Sequence, residues 1–194
     1  MKLLHLDSSI QGDSSASRLV SAAAVERLKA IHPGLEVDYR DLAAAPLPHI
    51  TLGGFATGEA VAVIEQFLAA DILVIGAPMY NFGLPTQLKA WFDHILVAGR
   101  TFRYGADGVE GLAGGKRAIL ALSRGGIYSE GSPGAGIEHA ESHLRGMLGF
   151  IGITDIESIV AEGLALGAEQ REATINQALS RVEAIEVGGL SAAA

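Results

Sequence analysis

Three short stretches of this chain combine residue types that can hold a ligand. Met79-Tyr-Asn-Phe82 follows the apolar run Ile72 to Ile75 and the break Gly76-Ala77-Pro78, and Gly83-Leu84-Pro85 comes next. Asp7-Ser-Ser-Ile-Gln-Gly-Asp-Ser-Ser-Ala-Ser17 places five serines within the ten residues Ser8 to Ser17. Ser123-Arg-Gly-Gly126 closes a further apolar run, Lys116 to Leu122. An aromatic and an amide beside flexible glycines suit a flat polar-aromatic ring. Hydroxyls at a helix start suit an anion, because free N–H groups and the positive end of the helix dipole add to them. An ordinary serine N-cap is the plainer use of one such hydroxyl, but five serines favour a phosphate. Neither G-x-x-x-x-G-K-[ST] nor G-x-G-x-x-G follows the first strand, which speaks against a nucleotide P-loop or a primary dinucleotide site.

Other arrangements carry less chemistry. His139 and His143 are four apart on an expected helix, but His-Ala-Glu-Ser-His is not His-Glu-x-x-His and both lie off the apolar face. They read as a solvated face, and no metal site is expected. His5, inside the first strand, reads as a satisfied interior imidazole. Ser123 lacks the G-x-S-x-G context of a nucleophile elbow, and no paired carboxylates stand out. Without cysteines there are no disulfides, thiolate ligands or cysteine nucleophiles. No catalytic side chain is assigned, as expected where a cofactor carries the chemistry.

The elements that position these stretches alternate. Strands are expected at Lys2–Leu6, Leu35–Tyr39 (near an edge), Ile72–Ile75, Lys116–Leu122 and Ile153–Ala161. Helices are expected from the serines to Ile31, over Glu59–Ala70, Thr86–Val97, Gly134–Leu148 and Glu169–Glu186. The first carries Val20, Ala24, Leu28 and Ile31 on one face, with Arg27 snorkelling along its edge. Trp91 lies on the apolar stripe of the third helix, beside the expected site, so that helix is a core element and also a candidate oligomer contact. Gly188-Gly189 is the expected final helix stop, and Leu190–Ala194 a frayed tail. Thr101–Gly115 reads as a strand-and-loop excursion. Short, continuous apolar runs signal strands buried on both faces, as in a parallel sheet. The pattern predicts one α/β domain over residues 1–194: a flavodoxin-like three-layer sandwich, five parallel strands in the order 2-1-3-4-5, helices on both faces. In that order the loops after strands one, three and four converge, and flavin mononucleotide (FMN) matches the layout best.

Composition narrows the class. The 194 residues are 49% hydrophobic and 19% charged with a net charge of −8, a globular balance that argues against nucleic acid or an anionic membrane as partner. No run reaches the roughly 18–20 apolar residues of a membrane span, and the chain reads as soluble and cytoplasmic.

Met79–Phe82, Ser123–Gly126, Thr101-Phe-Arg-Tyr104 and Gly149-Phe-Ile-Gly-Ile-Thr-Asp155, in that spacing from Ser8 to Gly163, resemble the bacterial FMN-dependent NADH-azoreductases among the flavodoxin-like quinone reductases. The resemblance implies FMN, a homodimer with two sites at its interface, and ping-pong two-electron reduction of azo dyes and quinones. NADH reduces the flavin and leaves before the acceptor enters. It implies that Ser9 and Ser15-Ala16-Ser17 hold the phosphate. Many relatives carry glutamine at Ala16, so one side-chain donor is lost here while the backbone N–H stays. Met79, Tyr80, Asn81 and Phe82 would hold the isoalloxazine and ribityl, and Ser123, Arg124, Gly125 and Gly126 the ring edge. Tyr104 and Phe150 would wall the substrate pocket across the dimer, and Tyr128 would cover the flavin. Backbone N–H groups of Gly125-Gly126 would stabilise negative charge on the reduced ring. NADH against NADPH stays open, with Arg103 and Arg124 the arginines inside the motifs. Two other readings stay open on the residues alone: an electron-carrier flavodoxin and a flavin-free regulatory module.

Overall fold

The computed structural model describes residues 1–186. The expected Gly188-Gly189 stop and the tail Leu190–Ala194 lie outside the described residues. Five strands form a parallel sheet: β1 (Lys2–Asp7), β2 (Glu36–Asp41), β3 (Ile72–Pro78), β6 (Arg117–Ser123) and β7 (Asp155–Ala161), in the order β2-β1-β3-β6-β7. The expected excursion is an antiparallel hairpin, β4 (Phe102–Gly105) with β5 (Gly108–Gly111). With the hairpin set aside, the order is the expected 2-1-3-4-5.

Period-two alternation along the central strands divides the core into two layers. Leu73 and Ile75 of β3 and Leu120 and Leu122 of β6 face one side. That side is covered by α2 (Gly58–Ala69), α3 (Thr86–Ile95) and α4 (Glu141–Phe150), which supply Phe67, Trp91 and Leu144. Ile72, Val74, Ile119 and Ala121 face the other, under α1 (Ala16–Ile31) and α5 (Ala168–Glu183), which supply Val20, Leu28 and Val182. Every residue of β3 and β6 is buried, whereas β2 at the edge is largely exposed. Trp91 is core, fully buried with ring contacts to Phe67 and Phe92. Arg27 lies along the stripe of α1 and donates to the Ile185 carbonyl at 3.1 and 3.2 Å.

One helix start differs from expectation. Residues 134–140 are not part of α4; a single 3-10 turn, Ala135–Ile137, precedes it. Gly131, Gly134 and Gly136 disfavour helix here. The Glu138 carboxylate accepts the N–H groups of Ala140, Glu141 and Ser142 at 2.8–3.2 Å, fixing the new start. His139 therefore precedes the helix, and Ile137 is exposed rather than on the buried face.

Register aligns the carboxyl ends of the strands: Asp7 opposite Gly76, Pro78 opposite Ser123, Ser123 opposite Ala161. Gly76 is required by close approach. A Cβ there would stand 2.1 Å from Asp7 Oδ1. The loops after β1, β3, β6 and β7 all leave from this one edge.

Candidate functional site

The first loop is held from beneath. Ser8 donates from both N–H and Oγ to the Gly76 carbonyl, at 3.1 and 2.8 Å. The Ser9 carbonyl accepts Arg18 Nε and Nη2 at 3.2 and 2.8 Å, while the same guanidinium pairs with both oxygens of Asp41 at 2.7 and 2.8 Å. That hydrogen bonding outweighs partial burial and holds the Asp41 carboxyl below its ordinary range. Ser15 is the N-cap of α1, accepting the Arg18 N–H at 3.3 Å, and its Oγ lies 3.0 Å from Ser17 Oγ. The plain capping role therefore belongs to Ser15. Ser9, Ser15 and Ser17 are all buried, and the N–H groups of Ala16 and Ser17 find no acceptor within the described residues. Orphan donors and hydroxyls at a helix start are the donor set an anion needs.

Met79–Phe82 forms a tight turn. Tyr80 and Gly83 exchange both backbone hydrogen bonds at 3.0 Å, and the two central residues have φ of 47° (Asn81) and 71° (Phe82). Two consecutive left-handed residues define a type I′ turn, which suits asparagine and strains phenylalanine. The Met79 N–H donates to the Ser123 carbonyl at 2.8 Å, joining this loop to β6, and the Phe82 carbonyl accepts the His139 N–H at 3.0 Å.

The third loop is laced to a stretch that carries no motif. Arg124 N–H donates to Ala161, Leu164 N–H to Arg124, Ala165 N–H to Gly125 and Gly163 N–H to Gly126, at 2.8–3.2 Å. The N–H groups of Gly125 and Gly126 have no protein acceptor among the described residues. The Arg124 side chain, only 4% exposed, turns to three carboxylates: Glu141 at 2.8 Å, Glu162 at 3.4 Å and Glu138 at 3.5 Å. Burial pushes Glu141 and Glu162 up. Hydrogen bonds and the neighbouring guanidinium outweigh it, and both titrate below the ordinary glutamate range. Glu162 also accepts the N–H groups of Tyr128 and Ser129 at 2.9 and 3.2 Å.

These loops enclose one cleft, lined by Gln11, Met79, Tyr80, Ser123, Gly125 and Arg171 with Pro78, Arg124, Leu164 and Ala165. The structure thus brings together the Met79-Tyr80 and Ser123–Gly125 positions read from sequence, and the Tyr80 hydroxyl links them to the first loop at Ser9. Tyr128 lies against Gly126, with its ring edge-on to Phe82 at 6.2 Å. Tyr104 and Phe150 are not among the cleft-lining residues. They flank Phe102 in an aromatic row, with centroids at 5.5 and 4.7 Å. Gln11, Leu164, Ala165 and Arg171 are cleft residues that sequence reading missed, since no motif marks the β7–α5 segment beyond its glycines. His5 is satisfied in the interior by Ser21 Oγ at 3.0 Å and Asp7 at 3.4 Å, and His139 and His143 are exposed. Among the described residues no group of three or more metal-ligating side chains gathers, and no helix is long and apolar enough to cross a membrane.

Comparison with known proteins agrees with this geometry. A family defined by the flavodoxin-like fold matches residues 1–185. An FMN-dependent NADH:quinone oxidoreductase of Methylorubrum extorquens is 58% identical over 96% of this chain and 99% of its own. One from Xanthomonas campestris is 50% identical over 96% of this chain and all of its own. The crystal structure of an azoreductase from Bacillus anthracis superposes with a TM-score of 0.86 at 30% identity, covering 95% of this chain and 97% of the other. An FMN-dependent NADH-azoreductase from the same species, in complex with FMN, gives 0.85 at 25% identity over 94% and 96%. The chain belongs to the flavodoxin-like family of FMN-dependent NADH:quinone oxidoreductases and azoreductases.

Proposed function

We propose that this chain, residues 1–194 acting as one domain, is an FMN-dependent NADH:quinone oxidoreductase that also reduces azo compounds, working as a cytoplasmic homodimer. The observation that carries the reading is the convergence of three loops at one cleft, two of which hold N–H groups that meet no acceptor among the described residues: Ala16 and Ser17 at the start of α1, Gly125 and Gly126 after β6. A phosphate tail fits the first set and a ring edge that gains negative charge fits the second. When bound, FMN supplies the two-electron relay between NADH and the acceptor.

The residues bind and orient. Ser9, Ser15, Ala16 and Ser17 hold the phosphate through hydroxyl and N–H groups. Met79, Tyr80, Asn81 and Phe82 hold the ribityl and one side of the ring. The Ser123–Gly126 backbone, kept in place by its lacing to Gly163–Ala165, donates to the ring edge. The Arg124 guanidinium is engaged by carboxylates, so its part in the cleft falls to its backbone. Tyr128 covers the ring beside Phe82. Tyr104, Val109, Leu112 and Phe150 form an exposed apolar surface next to the hairpin, which suits a subunit contact that brings Tyr104 and Phe150 to the partner's cleft.

An absorbance spectrum tests the whole reading. Purified protein carries or takes up FMN, anaerobic NADH bleaches it, and menadione restores it. Protein that binds no added FMN ends the proposal. Rapid NADH oxidation by a quinone with no partner reductase separates the enzyme from a flavodoxin carrier.

A further inference from the structure

We infer that Arg171 is a phosphate-binding residue of this cleft and supplies the positive charge that neutralises the FMN 5′-phosphate. The inference rests on the FMN reading above and assigns a residue that no motif marks. Arg171 is the fourth residue of α5, on a different element from the serine loop. Its Nη2 donates to the Ser14 carbonyl at 2.8 Å, one residue before the N-cap of α1. The guanidinium is thus tied to the residue that leads into that helix start, and it lines the same cleft as Gln11, Tyr80 and Gly125.

Charge singles it out. Arg18, Arg124 and Arg171 belong to or touch the loops of this cleft. Arg18 is spent on Asp41 and the Ser9 carbonyl, and Arg124 on three glutamates. Arg171 makes no ion pair with a carboxylate among the described residues, and one hydrogen bond occupies one of its five N–H donors. A phosphate monoester carries about −1.5 to −2 at neutral pH. The orphan N–H groups and the positive end of the α1 dipole can hold an anion by themselves, and in a chain of net charge −8 an arginine near them adds the full charge they lack. A merely mechanical role, strutting α5 against the loop through Ser14, requires the hydrogen bond but not the charge.

The test is titration of the flavin-stripped full-length protein with FMN and, separately, with riboflavin, which has the same ring without the phosphate. Arg171→Gln keeps a donor for the Ser14 carbonyl and loses the charge. We expect it to bind FMN roughly ten-fold more weakly, from the ordinary strength of a charge-assisted hydrogen bond, with riboflavin affinity unchanged and the salt dependence of FMN binding reduced. Arg171→Lys recovers most of the affinity. Arg181→Gln removes the same charge from the far turn of α5, where the side chain donates to the Ser158 carbonyl, and leaves both flavins bound as before. FMN affinity within two-fold of the parent in Arg171→Gln overturns the assignment. Equal weakening of both flavins overturns it in favour of the strut, and a raised NADH KM with unchanged FMN affinity assigns the charge to the donor's phosphates instead. A parent protein that binds neither flavin fails at the earlier step and takes the assignment with it.

Discussion

The Tyr80 hydroxyl stands 3.3 Å from Ser9 Oγ and accepts the Ile10 N–H at 3.2 Å. One phenol thus fastens the loop after β3 to the loop after β1, whose residues lie about seventy positions away in sequence. Tyr80→Phe removes both bonds and keeps the ring. The expected cost is about 0.5–1.5 kcal/mol of folding stability, read by urea denaturation, and faster FMN release measured by stopped-flow dilution. Unchanged release would show that the two loops hold their spacing without this tie.

Arg124 gives a prediction with a sign in pH. Glu141 and Glu162 have folded pKa values lowered below their unfolded value. Their contribution is therefore complete above roughly pH 4.3 and is lost as pH falls from there through the lower folded values. Arg124→Met leaves Glu138, Glu141 and Glu162 facing one another, with Arg145 still on Glu141 at 2.9 Å. Removing one partner of a buried ionic cluster costs about 3–5 kcal/mol. Without the guanidinium, the burial that pushes Glu141 and Glu162 up is opposed by fewer partners, so both carboxyls shift up and the deficit shrinks as pH falls from 8 to 5. Denaturation at the two pH values measures it, and an equal deficit at both would place the cost in packing rather than charge.

What could be read from sequence follows from what is local. Ile72–Ile75 and Ala118–Leu122 are short unbroken apolar runs, and only a strand covered on both faces needs them, so the parallel sheet was visible. The serine loop and the Met79–Phe82 stretch were visible as clustered hydroxyls and as an aromatic and an amide at strand ends, whereas the left-handed backbone of Asn81 and Phe82 was not, since phenylalanine gives no sign of it. The start of α4 was not. Ile137 and Ala140 continue the helical period of Leu144 and Met147, and it is the Glu138 side chain, capping in place of a serine after a glycine-rich stretch, that sets where the helix begins. Leu164, Ala165 and Arg171 were missed for a further reason. Their place in the cleft comes from backbone pairing with residues some forty positions away and from α5 packing beside α1, and neither leaves a pattern in the β7–α5 segment.

Asn81 holds two jobs that substitution can separate. It occupies a left-handed position at φ 47° and, in the proposed reading, offers its amide to the flavin from the position after the cleft-lining Tyr80. Asn81→Gly keeps the backbone conformation and removes the amide, so thermal stability should stay within a degree or two while FMN affinity falls. Asn81→Ala loses the amide and also adds about 1 kcal/mol of backbone strain, so it should lose both. Equal FMN affinity in the parent and Asn81→Gly would confine this residue to the turn.

Tyr104 tests the proposed pocket across the dimer most directly, because its own chain leaves most of the side chain exposed. It is 74% exposed on β4, touching Phe102 edge-on at 5.5 Å, and it does not line its own chain's cleft. A side chain so exposed contributes little to folding, so Tyr104→Ala should leave the melting temperature and FMN affinity unchanged. If a second subunit places the ring over the neighbouring cleft, the same change raises the quinone KM several-fold. Phe150 is the control for packing. It is 38% exposed and lies 4.7 Å from Phe102, so Phe150→Ala should raise the KM and also cost about 1 kcal/mol of stability. Light scattering fixes the assembly state of each variant. A parent protein that scatters as a monomer while Tyr104→Ala leaves the quinone KM untouched would remove this residue from the substrate pocket and the homodimer from the proposal.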